Sequence, residues 1–308
     1  MSTQTDNGRA FEWVVGYTLH LLTGLNIEEN SFSNMARDAY NSISERQQNI
    51  FSLAAKSAIN HILKKENINL NNGHSGHILF NSDSAGKNGD VRDVILFINS
   101  RSIGFSCKNN HTALKHSRLS GRLDFVKSWG INSLGCSDQY WNEVKPLFAE
   151  LQNIKKVSNS SYLWAQLDDK AIRFYWPILD AWHNEINRIC NISEATCANL
   201  CKAIISYLVG NHDFYKIICE GSKSVTIQAW NFNKTLATKQ SKYPEFINSI
   251  NNRNGGQYSK TITFNHGYSI NFRIHSASSR VEPSLKFDIT ASGLPPSEIY
   301  QQTLDIVE

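Results

Sequence analysis

Two short apolar runs joined by a polar break constrain the fold of this chain more than any other feature. Val94–Ile98 is the first run, and Ile103–Cys107 is the second. Apolar, β-branched runs of this length with polar borders are typical of strands, and the short gap between them indicates a β-hairpin. Asp93 precedes the first run and Lys108 follows the second, so that each run is bordered by one charged residue.

The expected turn brings these two charges together. With a two-residue turn at residues 100 and 101, Asp93 lies directly opposite Lys108. Cross-strand neighbours have Cβ atoms about 4.5–5.5 Å apart. Phosphodiester hydrolysis requires such a pair, an acid that holds Mg²⁺ and a cation that positions or activates water. The alternative interpretation is an exposed ion pair without chemistry, worth about 0–1 kcal/mol.

Two acids precede the first strand, and strand alternation separates them. Asp93 shares a face with Ile95, whereas Asp90 shares one with Arg92. If both acids lie in the strand, only one of them can face a metal ion. Asp93 is the better candidate, unless a turn after Gly89 swings Asp90 around.

Longer blocks of sequence spread along the chain can be compared with known families. They are Gly8–Glu12, Gly89–Asp93, Ser106–His111, Leu114–Ser120, Leu123–Phe125, Gln139–Trp141, Tyr207–Gly210, Asp213–Lys216, Phe272–Ala277 and Glu282–Asp288. Together they resemble the HaeIII family of type II restriction endonucleases, over nearly the whole chain. The resemblance implies an α/β fold of the PD-(D/E)XK class, with a mixed sheet flanked by helices and a strand-rich C-terminal part.

The resemblance also implies an activity, a Mg²⁺-dependent hydrolysis of double-stranded DNA at a short palindrome, typically GGCC, that leaves 5′-phosphate ends. Asp93 or Asp90 is then the metal carboxylate, and Lys108 is the active-site lysine. Ser106 occupies the position where the family pattern has Glu or Asp. Glu12, Asp90 or a backbone carbonyl would supply the missing oxygen. This departure keeps a second hypothesis open, a non-catalytic DNA-binding protein of the same fold.

The segment after Lys108 is basic and rich in amides. From Lys108 to Lys127, with both ends included, there are five Lys or Arg residues and a single acid. A charge run is usually a solvated helix face, but here the acids that would balance it are scarce. Lys and Arg would contact phosphates, and Asn or Arg would read base edges. The predicted DNA-binding residues of this segment are Asn109, Asn110, His111, Lys115, His116, Arg118 and Arg122.

Late strands carry a second group of DNA-binding candidates, Arg273, His275 and Lys286. Arg273 and His275 are two positions apart and therefore share a strand face. An Arg that binds guanine O6 and N7 together discriminates between bases by about 1–3 kcal/mol. The alternative is a surface strand with ordinary charges. We expect base contacts from this group and phosphate contacts from the segment after Lys108.

The length, net charge and cysteine content of the chain limit what its fold and location can be. The chain has 308 residues, and we expect a nuclease core in residues 1–220 that includes the N-terminal helices and the hairpin at about 77–108. A strand-rich recognition part is expected in residues 221–308, continuous with the same domain. The net charge of +4 is too small to indicate nucleic-acid binding by itself. No apolar run is long enough to span a membrane, and the polar start is unlike a signal peptide. The six cysteines include no Cys-x-x-Cys pair, which fits a reducing cytoplasm.

A palindromic target favours a two-fold homodimer, because the symmetries of protein and DNA then match. A restriction–modification system also implies a cognate DNA methyltransferase as a genetic partner, without direct contact.

Apolar periodicity predicts most helices and strands. Helices are expected at 8–22, 137–156, 176–189 and 195–209, and two more at 32–65 with a break near Ser44. Strands are expected, besides the hairpin, at 78–80, 215–219, 225–230, 260–264, 268–275 and 284–290. Residues 231–257 are polar and are expected to form a loop.

Overall fold

The structure is a computed structural model that describes residues 4–70, 73–82, 84–85, 89–110, 113–131, 133–252, 258–276 and 278–306. Within them the helices are α1 (Gln4–Thr23), α2 (Ser31–Ser42), α3 (Glu45–Lys65), α4 (Phe125–Ser128), α5 (Asp138–Val157), α6 (Trp176–Cys190) and α7 (Glu194–Val209). The strands are β1 (Gly76–Phe80), β2 (Val94–Ile98), β3 (Arg101–Asn109), β4 (Ala113–Ser120), β5 (Phe214–Glu220), β6 (Ser224–Trp230), β7 (Ile247–Asn252), β8 (Ser259–Phe264), β9 (Ser269–His275), β10 (Ser284–Gly293) and β11 (Tyr300–Asp305). This mixed α/β architecture, with helices against two sheets, confirms the predicted fold class.

The chain divides into two compact units, each with one sheet. The first unit consists of Met1–Thr112, Val209–Lys242 and Pro296–Glu308, and the second of Ala113–Leu208 and Tyr243–Pro295. Both units take residues from either side of position 220. The division into a nuclease core at 1–220 and a recognition part at 221–308 stays a prediction.

The first unit is built on a six-stranded mixed sheet in the order β1-β2-β3-β5-β6-β11. Its neighbouring strands are antiparallel except for β3 and β5, which are parallel. Helices α1 and α3 pack against the sheet and bury an apolar core that includes Phe11, Phe51 and Tyr215. Ser44 begins α3 as predicted, because its side chain accepts a hydrogen bond from the Gln47 backbone N–H at 3.3 Å.

The second unit is built on a five-stranded antiparallel sheet in the order β4-β10-β9-β8-β7. Apolar and polar residues alternate along its central strands, so one face is apolar and the other is polar. On the apolar face, the Trp182 ring of α6 lies 4.8 Å from the Phe272 ring and 5.3 Å from the Phe287 ring. The polar face therefore presents hydrogen-bonding and charged side chains away from this core.

Three strands depart from the sequence prediction. The expected loop at 231–257 is wrong in part, because it contains β7 (Ile247–Asn252). The basic segment after Lys108 forms the strand β4 (Ala113–Ser120), and Tyr300–Asp305 forms β11. Among the residues described above, no helix combines the length and apolar character needed to cross a bilayer.

The cysteines of the second unit include one disulfide. Cys190 at the end of α6 is bonded to Cys197 in α7. The spacing of the cysteines did not predict this bond. Cys201 forms no disulfide and is fully buried in the apolar core.

Candidate active site

The hairpin formed by β2 and β3 has a different turn from the predicted one. Ile98 pairs with Arg101, so the turn consists of Asn99 and Ser100. The predicted turn at residues 100 and 101 is wrong, and each strand residue pairs with a partner two positions earlier than expected. Asn99 has a φ of 54°, a left-handed conformation that Asn tolerates better than most residues with a side chain. This preference places the turn one position earlier.

Three donors converge on one oxygen of the Asp93 carboxylate. Asp93 Oδ2 accepts hydrogen bonds from Lys108 Nζ at 3.1 Å, from Ser106 Oγ at 3.2 Å and from the Cys107 backbone N–H at 2.7 Å. Continuing the observed register by one residue places Asp93 opposite Ser106. A shift of two residues returns each side chain to the same face of a strand. Asp93 and Lys108 are therefore neighbours, diagonally rather than directly opposed.

Helix α1 adds a second carboxylate to the electrostatics of this site. Burial by itself would lower the pKa of Lys108, but the negative charges of Asp93 and Glu12 and the hydrogen bond to Asp93 raise it. Burial raises the pKa of the Cys107 thiol, and Asp93 and Glu12 raise it further. Glu12 is half-buried on α1. The candidate acids at this end of the hairpin are therefore Asp93 and Glu12.

Asp90, the other candidate acid, is bound to Arg92. Arg92 Nε donates to Asp90 Oδ1 and Arg92 Nη2 to Asp90 Oδ2, both at 2.7 Å. Burial by itself would raise the pKa of Asp90, but the hydrogen bonds from Arg92 lower it. The Arg92 side chain lies over Gly104, where a Cβ would come within 2.0 Å of it. The geometry therefore favours Asp93 over Asp90 as a metal ligand.

The segment that leads to Asp93 is tied to the residues just before β5. The Gly89 carbonyl accepts a hydrogen bond from the Asn211 backbone N–H at 2.8 Å. Gly210 has a φ of 77°, and a Cβ on it would lie 2.3 Å from the Gly89 carbonyl oxygen. Glycine is therefore required at position 210 for this close approach. The contact holds the loop before β2 beside β5.

Lys216 of β5 is a further charged residue beside this group. It pairs in register with Ser106 and is only 4% exposed. Burial, and next the positive charge of Lys108, lower the pKa of Lys216 to about 8, while Asp93 acts in the opposite direction. The sequence reasoning assigned no role to Lys216. The signal that could have found it is a positive charge in the middle of an otherwise apolar strand, Phe214–Glu220.

The donor set is compatible with Mg²⁺ only if substrate completes it. The described part of the chain contains no cluster of three or more His, Cys, Asp or Glu side chains that could hold a metal ion. Mg²⁺ is usually bound through one or two carboxylates, with waters and substrate phosphates in the other positions. Asp93 supplies one such carboxylate, and Glu12 is within electrostatic range. Asp93, with Glu12 near it, would therefore be the residue that holds a Mg²⁺ ion at this site.

The predicted DNA-binding residues that follow Lys108 are described to different extents. Asn109 ends β3, and Asn110 follows with a φ of 50°. His111 lies outside the described residues. Lys115 and His116 have their backbone on β4, paired with β10, but their side chains lie outside what the structure describes.

The second unit brings the two predicted groups of DNA-binding residues onto one sheet. Lys286 of β10 pairs with Arg118 of β4 on one side and with His275 of β9 on the other. Asp288 Oδ2 lies 3.0 Å from Arg273 Nη2 and 2.5 Å from His275 Nε2, and Asp288 Oδ1 lies 3.5 Å from Lys286 Nζ. These four residues are called the Asp288 cluster below. Arg118 and the late-strand residues were predicted as two separate groups, whereas in the structure they lie on neighbouring strands.

The remaining two arginines of the prediction lie in the same unit. Arg118 Nη1 lies 3.3 Å from Glu282 Oε2 and 3.0 Å from Ser284 Oγ. Arg122 is exposed and lines an open cavity of about 500 Å³ together with Lys145. The first arginine is therefore held by an acid, and the second lies beside another cation.

Comparison with known proteins identifies the family. Residues 8–295 match the family model described as HaeIII restriction endonuclease. The chain belongs to this family. It is also 31% identical to the type II restriction enzyme HaeIII of Haemophilus aegyptius over 316 aligned positions, which cover 97% of each chain. No solved structure matches the chain significantly.

Family membership settles the general activity. As a HaeIII-family member, the chain is a type II site-specific deoxyribonuclease, a hydrolase that acts on double-stranded DNA. The hypothesis of a non-catalytic DNA-binding protein, which rested on Ser106, is therefore not supported.

Proposed function

We propose that this restriction endonuclease is a Mg²⁺-dependent enzyme of the PD-(D/E)XK fold that cleaves the palindrome GGCC. The convergence of Ser106, the Cys107 N–H and Lys108 on the Asp93 carboxylate carries the proposal. A mixed sheet in which β3 runs parallel to β5, covered by α1 and α3, supports the fold. The 31% identity to HaeIII over 97% of the chain supports the target.

The residues at the end of the hairpin receive distinct roles. Asp93 would hold the metal ion, and Glu12 is the candidate for the second carboxylate. When bound, Mg²⁺ supplies positive charge beside the scissile phosphate and makes water easier to deprotonate. Lys108, fixed 3.1 Å from Asp93, orients the attacking water and offsets negative charge that develops on the phosphate. Ser106 donates to Asp93 and holds its carboxylate in place.

Binding of the DNA is assigned to other residues. Arg273, His275 and Lys286 are proposed to read base edges, because they lie together on the polar face of the five-stranded sheet. Phosphate contacts are assigned to Lys115, Arg118 and Arg122, which follow Lys108. The other DNA-binding candidates of the same segment are Asn109, Asn110, His111 and His116.

A palindromic target leads us to propose a two-fold homodimer. The enzyme is proposed to work in the cytoplasm beside a cognate DNA methyltransferase that it does not contact. Sedimentation of the protein with and without a cognate duplex tests the dimer. A single protomer bound to one duplex would argue against it.

Cleavage of a DNA of known sequence tests the proposed reaction. We expect cuts only with Mg²⁺ present, every fragment end within GGCC, and ends that ligate until a phosphatase removes their 5′-phosphates. Cuts at another sequence would overturn the target, and undiminished cleavage in a chelator would overturn the metal requirement. The Asp93→Asn variant serves as the control for contaminating nucleases.

A further inference from the structure

A row of polar residues crosses the six-stranded sheet of the first unit. Ser106 on β3 pairs with Lys216 on β5, Lys216 pairs with Gln228 on β6, and Gln228 pairs with Gln301 on β11. Residues directly paired across neighbouring strands share a face of the sheet. Gln228 Nε2 also donates to Gln301 Oε1 at 3.0 Å. The row begins at the hydrogen-bonded group around Asp93.

Lys216 is the charged member of this row, and it is buried. Its neighbours along the strand, Tyr215 and Ile217, belong to the apolar core on the opposite face. A lysine that is 4% exposed loses most of its hydration, which is unfavourable for an ammonium group. Ser106, the residue paired with it on β3, is part of the hydrogen-bonded group around Asp93. A buried ammonium group next to this group can add positive charge where a phosphate is proposed to bind.

The position of Lys216 relates it to Asp93 and Lys108. Ser106 donates a hydrogen bond to Asp93, and Lys216 lies next to Ser106 on the following strand. The charges of Lys108 and Asp93 both act on Lys216, in opposite directions. The two lysines and the carboxylate therefore belong to one electrostatic group.

We propose that Lys216 is a second active-site lysine whose ammonium binds a non-bridging oxygen of the scissile phosphate. This inference rests on the proposed function. In the hydrolysis, a bond forms from a water oxygen to phosphorus, and the bond from phosphorus to the 3′ oxygen breaks. The attacking water loses a proton, and the 3′ oxygen gains one. Lys216 transfers no proton and contributes a fixed positive charge where negative charge accumulates.

Variants of Lys216 test this role against a matched control. Lys216→Met and Lys216→Gln are expected to slow single-turnover cleavage by about 100-fold or more, and Lys216→Arg by less. The control is Lys260→Met, because Lys260 is equally buried at 4% exposed but pairs with Asp180 in the second unit. Thermal unfolding of each variant reports the stability lost with a buried lysine, and Lys260→Met is expected to retain cleavage.

Binding without metal provides a second readout. The probes are cognate duplexes that each carry one uncharged methylphosphonate, placed at a different position around the mapped cut in each duplex. The wild type is expected to bind the duplex with the uncharged scissile position roughly fivefold to tenfold more weakly than the unmodified duplex. In Lys216→Met or Lys216→Gln, this difference is expected to shrink to about twofold or less. A purely structural role of Lys216 would leave the difference unchanged.

The outcomes separate the inference from the function on which it rests. A wild type that does not cleave with Mg²⁺ contradicts the proposed function. A wild type that cleaves, together with Lys216 variants that cleave within about twofold of it, contradicts only the role of Lys216. If the Lys216 variants do not fold, the wild type alone still tests the inference. Equal binding of the wild type to duplexes with a charged and an uncharged scissile phosphate would overturn it.

Discussion

The ammonium nitrogen of Lys108 lies 3.1 Å from Oδ2 of Asp93, between two neighbouring antiparallel strands of one sheet. Both side chains are partly open to solvent, 30% exposed for Lys108 and 24% for Asp93. An ion pair with this exposure adds little to stability, about 0–1 kcal/mol. Its removal should therefore affect chemistry more than folding.

Asp93→Asn and Lys108→Ala are expected to reduce single-turnover cleavage by at least about 100-fold and to leave specific DNA binding largely intact. Many phosphate and base contacts provide the binding, so the loss of one catalytic group removes little of it. Fluorescence anisotropy with a cognate duplex measures the binding. Asp90→Asn is the informative comparison, because Asp90 is bound to Arg92 and its loss should lower the melting temperature instead. Normal cleavage by Asp93→Asn with none by Asp90→Asn would assign the metal to Asp90.

Glu12→Gln is expected to raise the Mg²⁺ concentration needed for half-maximal cleavage. Its carboxylate raises the pKa of Lys108 and is the candidate for the oxygen that Ser106 does not supply. Gln keeps the shape of the side chain and removes the charge. A titration of cleavage rate against Mg²⁺ measures the shift, and an unchanged titration would remove Glu12 from the metal site.

The long helices were predicted correctly because their apolar residues recur along the sequence with the helical period. The three strands that it missed are β4, β7 and β11, and each lies at the edge of its sheet. Edge strands carry many polar, exposed side chains, as Ile247–Asn252 and Tyr300–Asp305 do. Such strands lack the apolar run or clean alternation by which a strand is recognised from sequence.

The candidate site was predictable where it depends on local pairing. Asp93 and Lys108 were expected on one face of a hairpin, and a register error of two residues leaves that face unchanged. Lys216 could not be placed in the same way. It reaches Ser106 through the parallel pairing of β3 with β5, which joins residues far apart in the sequence. No local pattern specifies such a pairing.

The Asp288 cluster leads to a prediction about specificity. Asp288 is 12% exposed and is within ion-pair distance of Arg273, His275 and Lys286. Asp288→Asn should free Arg273, His275 and Lys286 from a fixed geometry, so that they bind phosphates of any sequence. Discrimination between GGCC and a site with one changed base pair is expected to fall by about tenfold. Glu282→Gln, which releases only Arg118, is the control and should leave that ratio unchanged. An intact ratio in Asp288→Asn would remove the cluster from base recognition.

Salt dependence separates phosphate contacts from base contacts. Arg118→Ala should weaken binding to all sequences alike and flatten the log–log salt slope by roughly 0.9, the value for one phosphate contact. Arg273→Ala should cost about 1–3 kcal/mol on the cognate site and little on random DNA. Competition binding at two salt concentrations, with cognate and scrambled duplexes, measures both effects. Loss of only cognate binding in Arg118→Ala, with equal losses in Arg273→Ala, would reverse the assignment.

Glu185 in the second unit leads to a prediction about acid stability. Glu185 is 2% exposed and accepts hydrogen bonds from the Ser137 N–H at 2.8 Å and from Arg188 Nη2 at 2.8 Å. Burial by itself would raise the pKa of Glu185, but the hydrogen bonds from Arg188 and Ser137 lower it below the ordinary 4.5.

The sign of the pH effect follows from this lowered pKa. A carboxyl group whose pKa is lower in the folded state contributes its full stability above its unfolded pKa and loses it as the pH falls through the folded pKa. The free energy of unfolding should therefore decrease as the solution is acidified below about 4.5, the ordinary pKa of the group. Glu185→Gln should lower stability at neutral pH by roughly 1–3 kcal/mol and flatten this acid dependence. Urea unfolding at several pH values from neutral to acidic measures both effects. Parallel stability curves for the wild type and Glu185→Gln would show that Glu185 does not contribute to the acid sensitivity.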